Sequence, residues 1–196
     1  MGETTPDLVG VAGEATSAAA FAARWGERTR VSVVPAEAQR IYRLDELHPP
    51  SMVSGSFRQA TNADRDTLIA YRIAFENDVG QPGDSDPASA VDESLVGGRA
   101  FVWCDPEPVA TVGISRPTAG VARLGPVYTP LSLRRRGYGS ACVAAASQWV
   151  RDNDDAECIL YTQLSNPTSN AIYRALGYEP AGDVLMYRFG TPAAFR

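Results

Sequence analysis

The stretch VYTPLSLRRRGYGSACVAAASQWV, Val127 to Val150, decides how the rest of the chain is read. Val127, Tyr128 and Thr129 close a β-rich run and Pro130 breaks it. Arg134-Arg135-Arg136-Gly137-Tyr138-Gly139 then leads into a segment of helical period. In that segment Tyr138, Cys142, Ala145, Trp149 and Val150 recur at helical spacing, which predicts one buried face.

A helix start of this kind suits a diphosphate, because its first turn carries N–H groups without intrahelical partners and a partial positive charge. Gly137 and Gly139 have no Cβ to hold phosphate oxygens away from the amides, and Arg134, Arg135 and Arg136 add charge and forked donors. Tyr138 and Ser140 complete the turn. Taken alone, the same residues also describe a glycine turn before an ordinary helix with solvated arginines.

The pattern Arg134-x-x-Gly137-x-Gly139 resembles the acyl-coenzyme A signature of the GNAT superfamily of N-acetyltransferases. A second motif of that superfamily, a helix that carries a tyrosine and ends in a glycine–aromatic pair, is matched by Asn166, Ser169, Tyr173, Gly177 and Tyr178. The resemblance runs from about residue 56 to residue 190. It implies an α/β (α+β) fold: a mixed, mostly antiparallel central sheet, splayed between its fourth and fifth strands, with flanking helices. It also implies acetyl-coenzyme A as co-substrate and no metal. By the same resemblance the coenzyme contacts fall on Val127, Tyr128, Thr129, Arg134, Arg135, Arg136, Gly137, Tyr138, Gly139, Ser140, Asn166 and Tyr173, with Tyr173 as the catalytic acid for the leaving thiolate.

Composition bounds the alternatives. The chain has 196 residues and a net charge of -5, and its only basic run is the three arginines, which argues against a nucleic-acid surface. Cys104, Cys142 and Cys158 are odd in number, sit in apolar patterns and lack metal-ligand spacing, so they read as reduced core thiols. The start has no basic region before an apolar run, and the apolar run Ala18 to Ala23 is short and stopped by Arg24, so the expectation is a cytoplasmic protein with no membrane span. A homodimer is compatible with the sequence, which does not determine oligomeric state.

In chain order, Asp7 to Ala12 reads as a strand, Glu14 to Trp25 as an alanine-rich helix buried along Ala19, Ala22, Ala23 and Trp25, and Arg30 to Leu44 as a strand. Residues 1–46 are expected to form an appendage, a remnant of a second GNAT-like unit, since about 40 residues seldom supply a core of their own. Residues 47–56, with Pro49-Pro50 and the only histidine, His48, read as a linker. The main domain covers 57–190 and a tail covers 191–196.

The main domain opens with a strand from Phe57 to Ala60, then a helix through Leu68, Tyr71, Arg72, Phe75 and Val79, stopped by Gly80. Gln81 to Pro87 reads as a loop and Ala88 to Val96 as a second helix. Glu76, Asp78, Asp84, Asp86, Asp92 and Glu93 put an acidic rim on this region, suited to a cationic amine. A meander follows in Arg99 to Cys104, Val109 to Ser115 and Val121 to Thr129, with Gly125-Pro126 predicted to break the third ladder. Glu157 to Leu164 is the next strand. Asn166 suits a helix N-cap and Gly177 a C-cap, and Tyr178 to Phe189 supplies the last strands, bent at Gly182-Asp183.

The resemblance implies transfer of acetyl to a primary amine of a small-molecule or peptide acceptor, with the Val127 to Thr129 backbone as donors to the thioester carbonyl. The general base stays open among Glu76, Glu93, Tyr128 and bulk solvent. A non-catalytic acyl-coenzyme A sensor is the rival reading. A regulatory domain for another nucleotide lacks the glycine-rich loops that such ligands need.

Overall fold

Alternating apolar runs become strands and helical-period runs become helices in the computed structural model, which describes residues 8–80 and 86–190. Among the described residues the elements are β1 (Gly10–Glu14), α1 (Ala15–Thr29), β2 (Ser32–Leu44), β3 (Ser56–Gln59), α2 (Arg65–Val79), α3 (Pro87–Val96), β4 (Ala100–Cys104), β5 (Pro108–Ile114), β6 (Val121–Tyr128), α4 (Tyr138–Asp154), β7 (Glu157–Gln163), α5 (Pro167–Ala175) and β8 (Tyr178–Gly190). The strand order is β1-β8-β2-β7-β6-β5-β4-β3, and the β6–β7 pair is parallel within a mostly antiparallel sheet. Of the loop expected from Gln81 to Pro87, residues 81–85, Asp84 among them, lie outside the described residues, as do the first residue of the Asp7 strand and the tail at 191–196, while Asp86 caps α3 and Pro87 begins it.

The chain divides into two compact units, and the larger holds 42–160 and 171–179. Its meander follows from side-chain alternation. Ala100, Val102 and Cys104 of β4 join Leu68 of α2 and Val91 of α3 in one cluster, while Phe101 and Trp103 face the cluster that contains α4. Phe101 is fully buried, 5.2 Å from the Phe57 ring and 4.8 Å from Trp149, a burial that contributes on the order of 2–3 kcal/mol.

Gly125-Pro126 breaks the β5–β6 ladder as expected. Val112 pairs with Val127 and Ile114 with Leu124, so two residues of β6 stand against Gly113 alone, where a Cβ would lie 2.9 Å from the Gly125 carbonyl oxygen. The parallel β6–β7 ladder runs from Val121↔Glu157 to Leu124↔Leu160 and stops there. β6 continues to Tyr128, so its last residues run beyond the ladder, as a sheet splayed at this place requires.

α4 departs from the one-face expectation. Ala141, Val143, Ala144, Ala146 and Ser147 are buried along with Tyr138, Cys142 and Val150, whereas Ala145 and Trp149 are only half-buried. Small residues let the chain pack closely on several sides of the helix, and Leu47 and Val53 of the 47–56 segment lie against this core. Up to residue 55 that segment has no regular secondary structure, Ser56 already belonging to β3, but it is pinned. The His48 N–H donates to the Leu176 carbonyl (3.0 Å) and the Trp103 indole N–H to the Ser54 carbonyl (2.8 Å).

Among the described residues the smaller unit comprises 8–41, 161–170 and 180–190. β1 pairs antiparallel with β8 from Gly10↔Arg188 to Glu14↔Val184. Glu14 caps α1 by accepting from the Thr16 and Ser17 amides (2.9 Å each), so the helix begins one residue later than read. Ala18 and Ala22, one turn apart, are its buried residues, while Ala23 is exposed. The Trp25 ring packs 5.9 Å from Phe21 and 6.1 Å from Phe189. β8 passes through Gly182-Asp183 without the expected bend, and there Arg40 clamps the Asp183 carboxylate with two hydrogen bonds (2.8 and 3.0 Å).

Candidate active site

The turn before α4 is built by backbone conformations that few residues tolerate. Arg135 adopts φ +64° and Gly137, the N-cap, φ +85°. α1, α3 and α5 begin under side-chain caps from Glu14, Asp86 and Asn166, and α2 follows a turn in which Thr61 and Asp64 cap each other. α4 begins at Gly137 with no side-chain cap, which leaves its first-turn N–H groups to another acceptor.

The glycines also answer to packing. A Cβ on Gly137 would lie 2.9 Å from Val53 Cγ2, and one on Gly139 would lie 3.1 Å from Thr129 Oγ1. Both absent Cβ atoms thus face protein.

The three arginines separate. Arg134 turns back on the loop: its Nε donates to the Thr129 carbonyl (2.9 Å), its Nη2 to the Asp78 carboxylate, and its guanidinium lies 5.7 Å from the centre of the Tyr128 ring. Arg135 and Arg136 are exposed beside the bare helix start. Tyr138 buries its ring and donates its hydroxyl to Asp105 (2.6 Å), which also accepts from Ser54 (2.5 Å). The Ser54 bond first, then that of Tyr138, holds the Asp105 carboxyl below the ordinary carboxylate range.

On β6, Val127 packs against the α4-side core, and Tyr128 faces a cavity of about 70 Å³ beneath α2 and α3. Tyr71 of α2 stands 5.4 Å from the Tyr128 ring and donates its hydroxyl to the Pro108 carbonyl (2.7 Å), and burial pushes its pKa up. The acidic rim expected here is largely neutralised. Glu76 pairs with Arg72 (2.5 Å), Asp92 with Arg65 (2.6 Å) and Asp78 with Arg134, while Asp86 caps α3. Of the base candidates, Tyr128 lines the cavity, Glu76 is held by Arg72, and Glu93 is exposed on α3.

Tyr173 is buried, with the Tyr42 and Tyr178 rings each 6.1 Å away, and burial pushes its phenol up to about 12. A phenol of that kind stays protonated through the whole neutral range. Asn166 accepts from the Ser169 amide (3.0 Å) as the N-cap of α5, and Gly177 ends the α5 region at φ +91°. Cys104, Cys142 and Cys158 are all buried and unpaired, and burial raises Cys158 to about 11.

Two features escaped the sequence reading. Tyr71 and Asp105 shape the site, yet Tyr71 looked like one more core residue on a helix face and Asp105 like turn punctuation. A second cavity, of about 270 Å³, lies between Leu47, Val53, Trp103 and Ala144. Nothing in the linker composition signals it, because it exists only once that segment docks on α4. Among the described residues no three His, Cys, Asp or Glu side chains could share a metal ion, and no helix is long and apolar enough to cross a membrane.

Comparison with known proteins extends the picture. An aminoglycoside N(6')-acetyltransferase type 1 from Klebsiella aerogenes is 35% identical over 71 residues, which cover 36% of this chain. The match takes in 47% of that enzyme, about half its length. A GCN5-related N-acetyltransferase from Kribbella flavida superposes with a TM-score of 0.70 at 20% identity, covering 95% of this chain and 71% of that one. The structure of AAC(6')-Iy in complex with the bisubstrate analogue CoA-S-monomethyl-acetylneamine gives a TM-score of 0.52 at 22% identity, over 64% of this chain and 91% of that one. These two likenesses show the fold. The sequence model of the acetyltransferase (GNAT) family matches residues 64–178, more than half of the 196, from the cap before α2 to the glycine–aromatic pair after α5. On that match, and with a sheet whose parallel ladder stops at Leu124 as the family's splay demands, the chain belongs to the acetyltransferase (GNAT) family.

Proposed function

We propose that the protein transfers an acetyl group from acetyl-coenzyme A to the primary amine of a small-molecule or peptide acceptor by direct attack. The observation that carries this reading is the course of β6, which outruns its parallel ladder after Leu124 and leads directly to the uncapped start of α4. Backbone of β6 beyond the parallel ladder and amides of α4 without a side-chain cap are what a pantetheine arm and a diphosphate need.

In this reading Val127, Tyr128 and Thr129 offer backbone groups to the arm and to the thioester carbonyl. The amides of Gly137, Tyr138, Gly139 and Ser140 take the diphosphate, Arg135 and Arg136 supply charge, and Arg134 holds the loop in shape. Asn166 contributes by positioning α5. The co-substrate supplies an acyl group activated as a thioester. An N–C bond forms as the C–S bond breaks, the amine proton leaves through a base or water, and Tyr173 gives its proton to the departing sulfur. In this reading the acceptor enters the cavity under α2 and α3, whose lining includes Tyr128 of β6.

A non-catalytic acyl-coenzyme A sensor is the second reading, favoured by one observation: Glu76, a base candidate, is tied to Arg72. Titration calorimetry with acetyl-coenzyme A, ATP and NAD, followed by thiol release over a panel of amines, separates the two. Selective binding with amine-dependent release supports the transferase. Binding without release supports the sensor, and no binding removes both.

A further inference from the structure

The acceptor cavity has a character of its own, and the inference drawn from it rests on the transferase reading above. Its walls are mostly apolar: Leu68 and Phe75 from α2, Val91 from α3 and Ala100 from β4, closed by the Tyr71 and Tyr128 rings, with the small hydroxyl side chains of Ser94 on α3 and Thr111 on β5 completing the lining, the latter donating to the Phe101 carbonyl (2.9 Å). The Tyr71 hydroxyl is committed to the Pro108 carbonyl. Among its described lining residues there is no carboxylate. Its one charged group, Arg72, is paired at 2.5 Å with Glu76, and the two side chains are only 22% and 13% exposed. Of the other carboxylates on α2 and α3, Asp92 is in a forked pair with Arg65, Asp78 is paired with Arg134 and Asp86 caps α3, while Asp66 and Glu93 are exposed and do not line the cavity.

A polycation such as an amino sugar or a polyamine needs free carboxylates and hydroxyl-binding groups, and a charge brought against an apolar wall without a partner is strongly disfavoured. An acceptor with its own carboxylate would have to displace Glu76 from Arg72. The volume, about 70 Å³, is roughly half that of a cavity of ~150 Å³ that holds benzene. We infer that the acceptor is a primary monoamine whose body is a small uncharged apolar group, a short branched alkyl or the edge of an aromatic ring, which enters this cavity while the nitrogen stays at the β6 side. An aminoglycoside N(6')-acetyltransferase is similar to part of this chain, but the described cavity lining here holds no carboxylate for the ammonium groups of such a substrate.

The test is acetyl-coenzyme A-dependent thiol release with 3-methylbutylamine, 2-phenylethylamine, leucine, spermidine and neamine. One methylene in an apolar pocket shifts kcat/KM by roughly 10–200-fold. The expected result is accordingly a preference of tenfold or more for the first two amines over the other three. Ser94→Phe, which fills the cavity from α3, is expected to raise KM for 3-methylbutylamine about tenfold and to leave acetyl-coenzyme A affinity unchanged.

Preference for neamine, spermidine or leucine overturns this inference and leaves the transferase standing. So does a Ser94→Phe protein that binds acetyl-coenzyme A normally with unaltered KM. If Ser94→Phe does not fold, the wild-type amine series decides alone. Acetyl-coenzyme A binding with no release from any amine, or no binding at all, removes the transferase reading and the inference with it.

Discussion

Arg134, the first residue of the arginine–glycine signature, is paired with Asp78 on α2. The same guanidinium donates to the Thr129 carbonyl and lies over the Tyr128 ring, so one side chain ties the end of β6, the loop before α4 and the helix above the cavity that Tyr128 lines. The positive charge left for a phosphate is on Arg135 and Arg136.

Replacing both Arg135 and Arg136 by alanine is therefore expected to weaken acetyl-coenzyme A binding about tenfold and to flatten its dependence on salt, because exposed charges act through a screened field. Arg134→Ala is expected to act differently. It loosens an exposed pair worth about 1 kcal/mol or less and raises KM for the amine more than for the coenzyme. Calorimetry at two ionic strengths, beside amine kinetics, reads both effects. Equal effects of the two changes on coenzyme affinity would contradict the division of labour.

Gly137 carries two demands at once. Its φ of +85° costs an alanine about 1–2 kcal/mol, and the new Cβ would press on Val53 at 2.9 Å. Gly137→Ala should lower stability and coenzyme affinity together, while Val53→Ala in the same protein restores part of the stability and none of the affinity. Recovery of both would mean that the glycine serves packing alone. Gly137→Val, with a branched side chain, is expected to be worse on both counts.

Tyr173→Phe is expected to lower turnover by about 10²-fold or more, the usual range for a positioned acid, with acetyl-coenzyme A affinity nearly intact. The pH dependence follows from burial, which raises the phenol to about 12. Wild-type turnover should climb as the amine loses its proton and show no alkaline decline from Tyr173 below that value. Stability carries the same signature. The unfolded chain releases the tyrosine proton near pH ~10, before the folded one does, so stability present below that pH is lost as it rises toward 12. Denaturation midpoints at pH 9 and 11 should diverge less in Tyr173→Phe than in the wild type.

Gly177→Ala should be among the most damaging single changes. At φ +91° its Cβ would sit 1.6 Å from the Glu46 carbonyl oxygen, so the backbone has to move. The same backbone accepts from the Asp45 amide at 3.1 Å. We expect a loss of about 3 kcal/mol or more in urea denaturation. A shift under ~1 kcal/mol would show that residues 45–48 are free to retreat.

Most elements were legible because their signals are local. The stop of α2 at Gly80, the break in β6 at Gly125-Pro126 and the cap of α5 at Asn166 each depend on backbone preferences of a few neighbouring residues. Errors arose where a neighbour distant in sequence decided the outcome. α4 is buried on more sides than its own period suggests because the 47–56 segment and the sheet both reach it, and β8 continues as one strand through a glycine that looked like a break.

The site divides in the same way. The arginine–glycine turn and the tyrosine helix could be read from spacing, and so could the family that the match over 64–178 establishes. What each residue does there was left to tertiary structure. The Arg134–Asp78 pair joins residues 56 positions apart. The ion pairs that cancel the acidic rim, and the Tyr71–Tyr128 wall that makes the cavity apolar, likewise join separate elements. A sequence records the charge and shape of each side chain and the conformations its backbone prefers. Which charges are neutralised and which rings line a cavity depends on distances between residues far apart in the chain, and those distances exist only after the chain has folded.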